Sequence, residues 1–185
     1  MHRPTPPAQC ALILCLALSA IAWTPWGAIY GSARDERSVG DQAADKKISL
    51  TIKTALADKD SALALKVHVY CFLGQVYLVG AINDTAFRSF SVKTAKETSG
   101  VKKVTQYFVA ESDTTTADLE LVAKVRTALI GNSDLSSTQI EQEVMNGEVV
   151  LIGMVRTKAD AALAVKVAKS VKGVRKVSSF LIPSK

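Results

Sequence analysis

The side chains most able to do chemistry are few and scattered. The 185 residues contain two histidines, His2 and His68, and three cysteines, Cys10, Cys15 and Cys71. A metal centre needs several such ligands at converging spacings, and acid–base catalysis needs two groups within reach of one substrate. Neither pattern is present. No phosphate loop, dinucleotide fingerprint or G-x-S-x-G elbow occurs. Ser61, Ser99 and Ser133 fall in turn-like stretches with no base beside them. The sequence therefore nominates no catalytic residue, no metal and no cofactor. Cys71 reads as a small buried hydrophobe and His68 as a surface residue on the polar side of a strand.

The abundant chemistry is positive charge. Lysine and arginine number 23 against 17 aspartates and glutamates, a formal charge of +6. The excess is spread over both halves of the chain. It gathers at Lys93, Lys96, Lys102 and Lys103, and again at Lys166, Lys169, Lys172, Arg175 and Lys176. Such rims suit acidic surfaces, and outside the cytoplasm those are anionic lipids rather than nucleic acid. Cations near a helix C-terminus are also favoured by its dipole, and a solvated face explains any single lysine.

The elements that position these groups follow from an internal repeat. Residues 48–109 align without a gap onto residues 121–182 at a constant offset of 73. Thr54-Ala55-Leu56 meets Thr127-Ala128-Leu129, and Val92-Lys93 meets Val165-Lys166. Gly74, Gly80 and Gly100 meet Gly147, Gly153 and Gly173. Such matching indicates a duplicated folding unit. In each copy a helix with apolar residues at helical spacing precedes two short strands, then a second helix and a last strand. The turn is Leu73-Gly74 in the first copy and Asn146-Gly147 in the second, and Asn-Gly predicts a type I′ hairpin. A hairpin followed by a helical crossover predicts an α+β fold. It consists of two tandem α-β-β-α-β domains, each a three-stranded mixed sheet with two helices on one face. The predicted domains span 45–111 and 117–185, joined by a polar linker at 112–116.

One helix differs between the copies. In the second, Leu121, Val125, Ala128 and Leu129 form the core stripe, matching Ile48, Ile52, Ala55 and Leu56. At 100° per residue, Leu119, Arg126 and Ile130 lie together well off that stripe, with Val122 on its flank. Their counterparts Lys46, Lys53, Ala57 and Ser49 are more polar. The additional stripe reads in three ways. It is packing against the other domain, or shallow insertion into a lipid headgroup region with Lys124 and Arg126 meeting phosphate, or ordinary apolar exposure.

The N-terminus reads as an export signal over residues 1–22. Arg3 precedes an apolar run from Ala11 that ends in Ala20-Ile21-Ala22, a small-residue cleavage pattern. An uncleaved anchor is the competing reading, because Trp23, Pro25, Trp26 and Tyr30 could continue as an interfacial belt. Residues 23–44 are predicted to form a linker. Cys15 follows Leu12-Ile13-Leu14 and Cys10 follows Ala8-Gln9, so no lipobox is seen.

These features resemble a known family. The hairpin glycines Gly74 and Gly147, the pairs Val79-Gly80 and Ile152-Gly153, and the closing Gly-Val-x-x-Val at 100–104 and 173–177 look like tandem BON domains. The stretch from Asp35 to Gln42 is also similar to the segment preceding the first domain in dual-BON envelope proteins. The resemblance implies a periplasmic, non-enzymatic module that binds anionic phospholipid membranes and supports envelope integrity or osmotic stress tolerance, peripheral to the outer membrane. A protein-interaction or chaperone-like module with an envelope protein partner is the alternative.

Overall fold

The computed structural model describes residues 37–113, 115–135 and 139–184. The export-signal reading of residues 1–22, and the linker as far as residue 36, lie outside the described residues. In the first copy, α1 (Val39–Lys59) starts where the Ser38 hydroxyl accepts from the Asp41 N–H at 3.1 Å. It buries Ile48, Ile52 and Leu56 one turn apart. The helix thus extends into the segment expected to be a linker. The Ser38 cap and an ion pair from Arg37 to Asp45 at 2.8 Å hold that extension.

Asp60 ends α1 and caps a single short turn, α2 (Ser61–Ala64). Strands β1 (Val67–Phe72) and β2 (Gln75–Ala81) follow, then α3 (Thr85–Glu97), capped by Asp84, and β3 (Lys103–Val109). The second copy repeats this as α4 (Thr115–Ile130), β4 (Ile140–Met145), β5 (Glu148–Val155), α5 (Lys158–Ser170) and β6 (Lys176–Pro183). Helix α4 begins within the stretch read as a linker, and α5 carries a capping box between Thr157 and Asp160.

Within each copy the strands run in chain order, the first pair antiparallel and the second parallel. Both hairpins have two left-handed residues, Leu73 (φ 53) with Gly74 (φ 77) and Asn146 (φ 56) with Gly147 (φ 70), as a type I′ turn requires. A second glycine pair, Gly80 and Gly153, serves close approach. A Cβ on Gly80 would overlap the Lys66 carbonyl oxygen, and one on Gly153 that of Gln139.

One face of each sheet packs on its own helices. In the first copy Val69, Cys71, Val76 and Leu78 meet Ile48, Ile52, Leu56 and Phe87; in the second Val149 and Leu151 meet Leu121, Val125, Leu129 and Ala164. The opposite faces pack on each other. Phe72, Tyr77 and Val79 join Met145, Val150, Ile152 and Met154 in one buried cluster. The result is four layers, helix, sheet, sheet, helix, within one compact unit of residues 35–185. Equivalent residues of the two copies meet across the junction. The Tyr70 hydroxyl donates to Glu143, and the Tyr107 ring lies 6.2 Å from Phe180, edge-on. Both pairs are separated by the repeat offset, so the junction has approximate two-fold symmetry.

Candidate functional site

Helix α4 turns Leu121, Val125 and Leu129 into the core and leaves the additional stripe outside. Leu119 is 66% exposed and Ile130 63%, with exposed Arg126 between them. Val122 is half-buried against the second core, and its carbonyl accepts from the Gln142 side chain at 3.0 Å. Because the repeats join through their sheets, the reading of this stripe as a domain contact is removed. Lys124 lies on the same helix, paired with Glu120 at 2.7 Å.

Three of the nominated basic residues converge beside that helix. A cavity of about 370 Å³ lies between the start of α4, the β4–β5 turn and the α5–β6 turn, and Lys124, Lys172 and Arg175 line it with Asp118, Glu120 and Asn146. Its shape depends on Asp118, whose carboxylate accepts from the Asn146 and Gly147 N–H groups at 2.7 and 2.8 Å. Arg175 donates to the Asn146 carbonyl. Lys166 and Lys169 are exposed on α5. Lys176 is placed elsewhere. It reaches the junction between repeats, 3.2 Å from Glu148 and 3.0 Å from the Tyr107 hydroxyl, because the first residue of β6 lies alongside β5.

The first copy carries the equivalent of Asp118 in a more enclosed form. Asp45 is 4% exposed and accepts from the Leu73 and Gly74 N–H groups, both at 2.8 Å, from the Cys71 thiol at 3.2 Å and from Arg37. Burial opposes its charge, yet these donors hold the carboxyl below its ordinary range. Burial, followed by Asp45, pushes the Cys71 thiol up to about 12, which makes it a poor nucleophile. His68 is not simply a surface residue. Its Nδ1 lies 3.0 Å from Glu143 across the junction.

Sequence reasoning missed both the aspartate pins and the junction. Asp45 and Asp118 stand in register at the repeat offset, a signal that was available. The junction was signalled by Val76 to Val79 and Val149 to Ile152, apolar runs without alternation that mark strands buried on both faces. Among the described residues, no group of three potential ligands could hold a metal ion, and no helix is long and apolar enough to cross a membrane.

Fold and site together define a tandem-repeat α+β protein with one helix apolar on its outer side and a basic cavity beside it. The chain belongs to the BON-domain family, whose model matches residues 44–111 and 117–182. It is similar to the 21 kDa hemolysin of Actinobacillus pleuropneumoniae, with 28% identity covering 77% of this chain and 76% of that protein. It is also similar to the osmotically-inducible protein Y of Escherichia coli (strain K12), with 27% identity covering 77% and 74%. A solved C-terminal domain of CdsD, a structural protein of the type III secretion system of Chlamydia trachomatis, aligns over 73% of this chain and 96% of its own. Its TM-score is 0.32 at 13% identity.

Proposed function

We propose that this protein is a non-enzymatic envelope module that attaches peripherally to anionic phospholipid membranes through α4. The observation that carries this reading is the exposed pair Leu119 and Ile130, separated by Arg126 on a helix whose core face is already filled. Apolar side chains of this kind enter the headgroup boundary, while neighbouring cations meet phosphate at about 1 kcal/mol each. The cavity lined by Lys124, Lys172 and Arg175 supplies such cations beside the inserted helix. Lys166 and Lys169 on α5 add to the attraction without a fixed contact. Export to the periplasm, and service in envelope integrity or osmotic stress tolerance, are consistent with the N-terminal signal pattern and with the likeness to an osmotically induced protein.

Sedimentation with phospholipid vesicles tests this reading. The protein should pellet with anionic vesicles and not with neutral ones, and the bound fraction should fall as salt rises. Arg126→Glu with Ile130→Asp should abolish pelleting while leaving the unfolding midpoint in place. Retained binding in that variant would remove α4 as the contact.

A further inference from the structure

A second surface feature lies in the first repeat and is independent of the membrane reading. Among the described residues, strand β3 is an edge strand, hydrogen-bonded only to β2 within its sheet. The N–H and C=O of one strand residue point to the same side, and successive residues alternate. The Val109 carbonyl accepts from the Ile82 N–H on the β2 side, at 3.0 Å. The main-chain groups of Thr105 and Tyr107 therefore serve β2, while those of Val104, Gln106 and Phe108 face the open edge. Natural edges are blunted by bulges, prolines or charges. Here the register runs unbroken from Gln75 opposite Lys103 to Ala81 opposite Val109, and β3 contains no proline. Its one charged side chain is Lys103, at the first position.

A groove of about 620 Å³ lies beside this edge, between Gln106 and the outer side of α3. Half-buried Val92 lines it, and Arg88, Lys93 and Lys96 outnumber its one acid, Glu97. The Lys93–Glu97 pair is long, 3.9 Å, and both side chains are more than half exposed, so it neutralises little. Arg88 is fixed in place. Its guanidinium donates to the Ile82 carbonyl at 2.7 Å and the Val109 carbonyl at 3.0 Å, and sits 5.8 Å from the centre of the Phe108 ring. Both anchors are carbonyls, and among the described residues no carboxylate forms an ion pair with it. The equivalent position in the second repeat is Ala161.

We propose that the open edge of β3 and the cationic groove beside it bind an extended acidic protein segment by strand addition. Main-chain hydrogen bonds to Val104, Gln106 and Phe108 would hold the segment, and carboxylates on its groove side would meet Arg88, Lys93 and Lys96. An unbroken strand edge is what favours a polypeptide over a lipid headgroup, which has no use for evenly spaced main-chain donors and acceptors.

The test uses the full chain, isotopically labelled for NMR. It is titrated with a peptide of about eight residues, near the usual strand length, alternating valine and glutamate, and with its valine–lysine counterpart. The glutamate peptide alone should shift the amides of Val104, Gln106 and Phe108 and slow their hydrogen exchange. Lys93→Glu with Lys96→Glu should weaken binding roughly tenfold or more. Gln106→Pro removes an outward N–H without a ladder bond and should weaken it comparably. If Gln106→Pro does not fold, the lysine variant and the exchange data decide. Equal binding of both peptides, binding of neither at millimolar concentration, or shifts without slowed exchange would overturn the proposal. So would loss of anionic-vesicle binding in the Lys93/Lys96 variant with no change toward the peptide, which would give the groove to the membrane.

Discussion

At the residue scale, the two aspartates near the starts of α1 and α4 matter most for the shape of the molecule. Each accepts from the two left-handed residues of its own hairpin, so the helix start and the turn are tied together. An acid in the first turns of a helix reads in the sequence as a dipole partner, which is why this longer reach stayed hidden. Replacing Asp45 by alanine takes their acceptor from the buried Gly74 N–H, the half-buried Leu73 N–H and the Cys71 thiol. A loss of about 2–4 kcal/mol is expected, read from the urea midpoint at neutral pH. The sign with pH follows from the lowered carboxyl. Its contribution is present above the unfolded value of 3.8 and is lost as pH falls through the folded one. The gap between wild type and Asp45→Ala should therefore close in acid.

At the element scale, the helices and strands were legible because the period of the apolar residues changes between them and the offset confirms each assignment twice. The outward side of β1 was not. His68 reads as a surface residue, yet it and Tyr70 meet Glu143 on β4, and Phe72 on the same side is buried. A row of mixed polarity does not say whether water or a second sheet covers it. The contact has a pH signature. The hydrogen bond to Glu143, outweighing burial, raises the imidazole above its ordinary value of 6.5, with Lys53 acting weakly against it. A raised folded value means stability present below 6.5 and lost as pH climbs through the folded value. His68 is half exposed, so the effect is well under about 1 kcal/mol. The thermal midpoint should decline as pH rises above 6.5, and His68→Gln should flatten that decline. An unchanged slope in the variant would assign the decline to other groups.

At the scale of the whole molecule, duplication was readable and the arrangement of the copies was not. A constant offset defines each unit but carries no information on how two units meet. The three readings of the α4 stripe could be narrowed only once the sheet faces were seen to be occupied by each other. Ile152 is fully buried at that junction. Ile152→Asp places an unpaired carboxylate between the sheets, at a cost of about 3 kcal/mol or more. Calorimetry should show one transition for the wild type and two, or a single one at much lower temperature, for the variant. A wild-type midpoint kept by Ile152→Asp would mean that the repeats are coupled by something other than their sheets.

The four-layer order also gives the molecule two opposite poles. Because the sheets lie back to back, the α4–α5 layer and the α1–α3 layer face away from one another. A chain resting on a surface through Leu119 and Ile130 would hold the β3 edge and its groove on the far side, pointing into the surrounding solution. If both proposals hold, divergence of α4 in one copy and of the Arg88 position in the other would turn a duplicated body into a connector, one end for what it stands on and the other for what passes by.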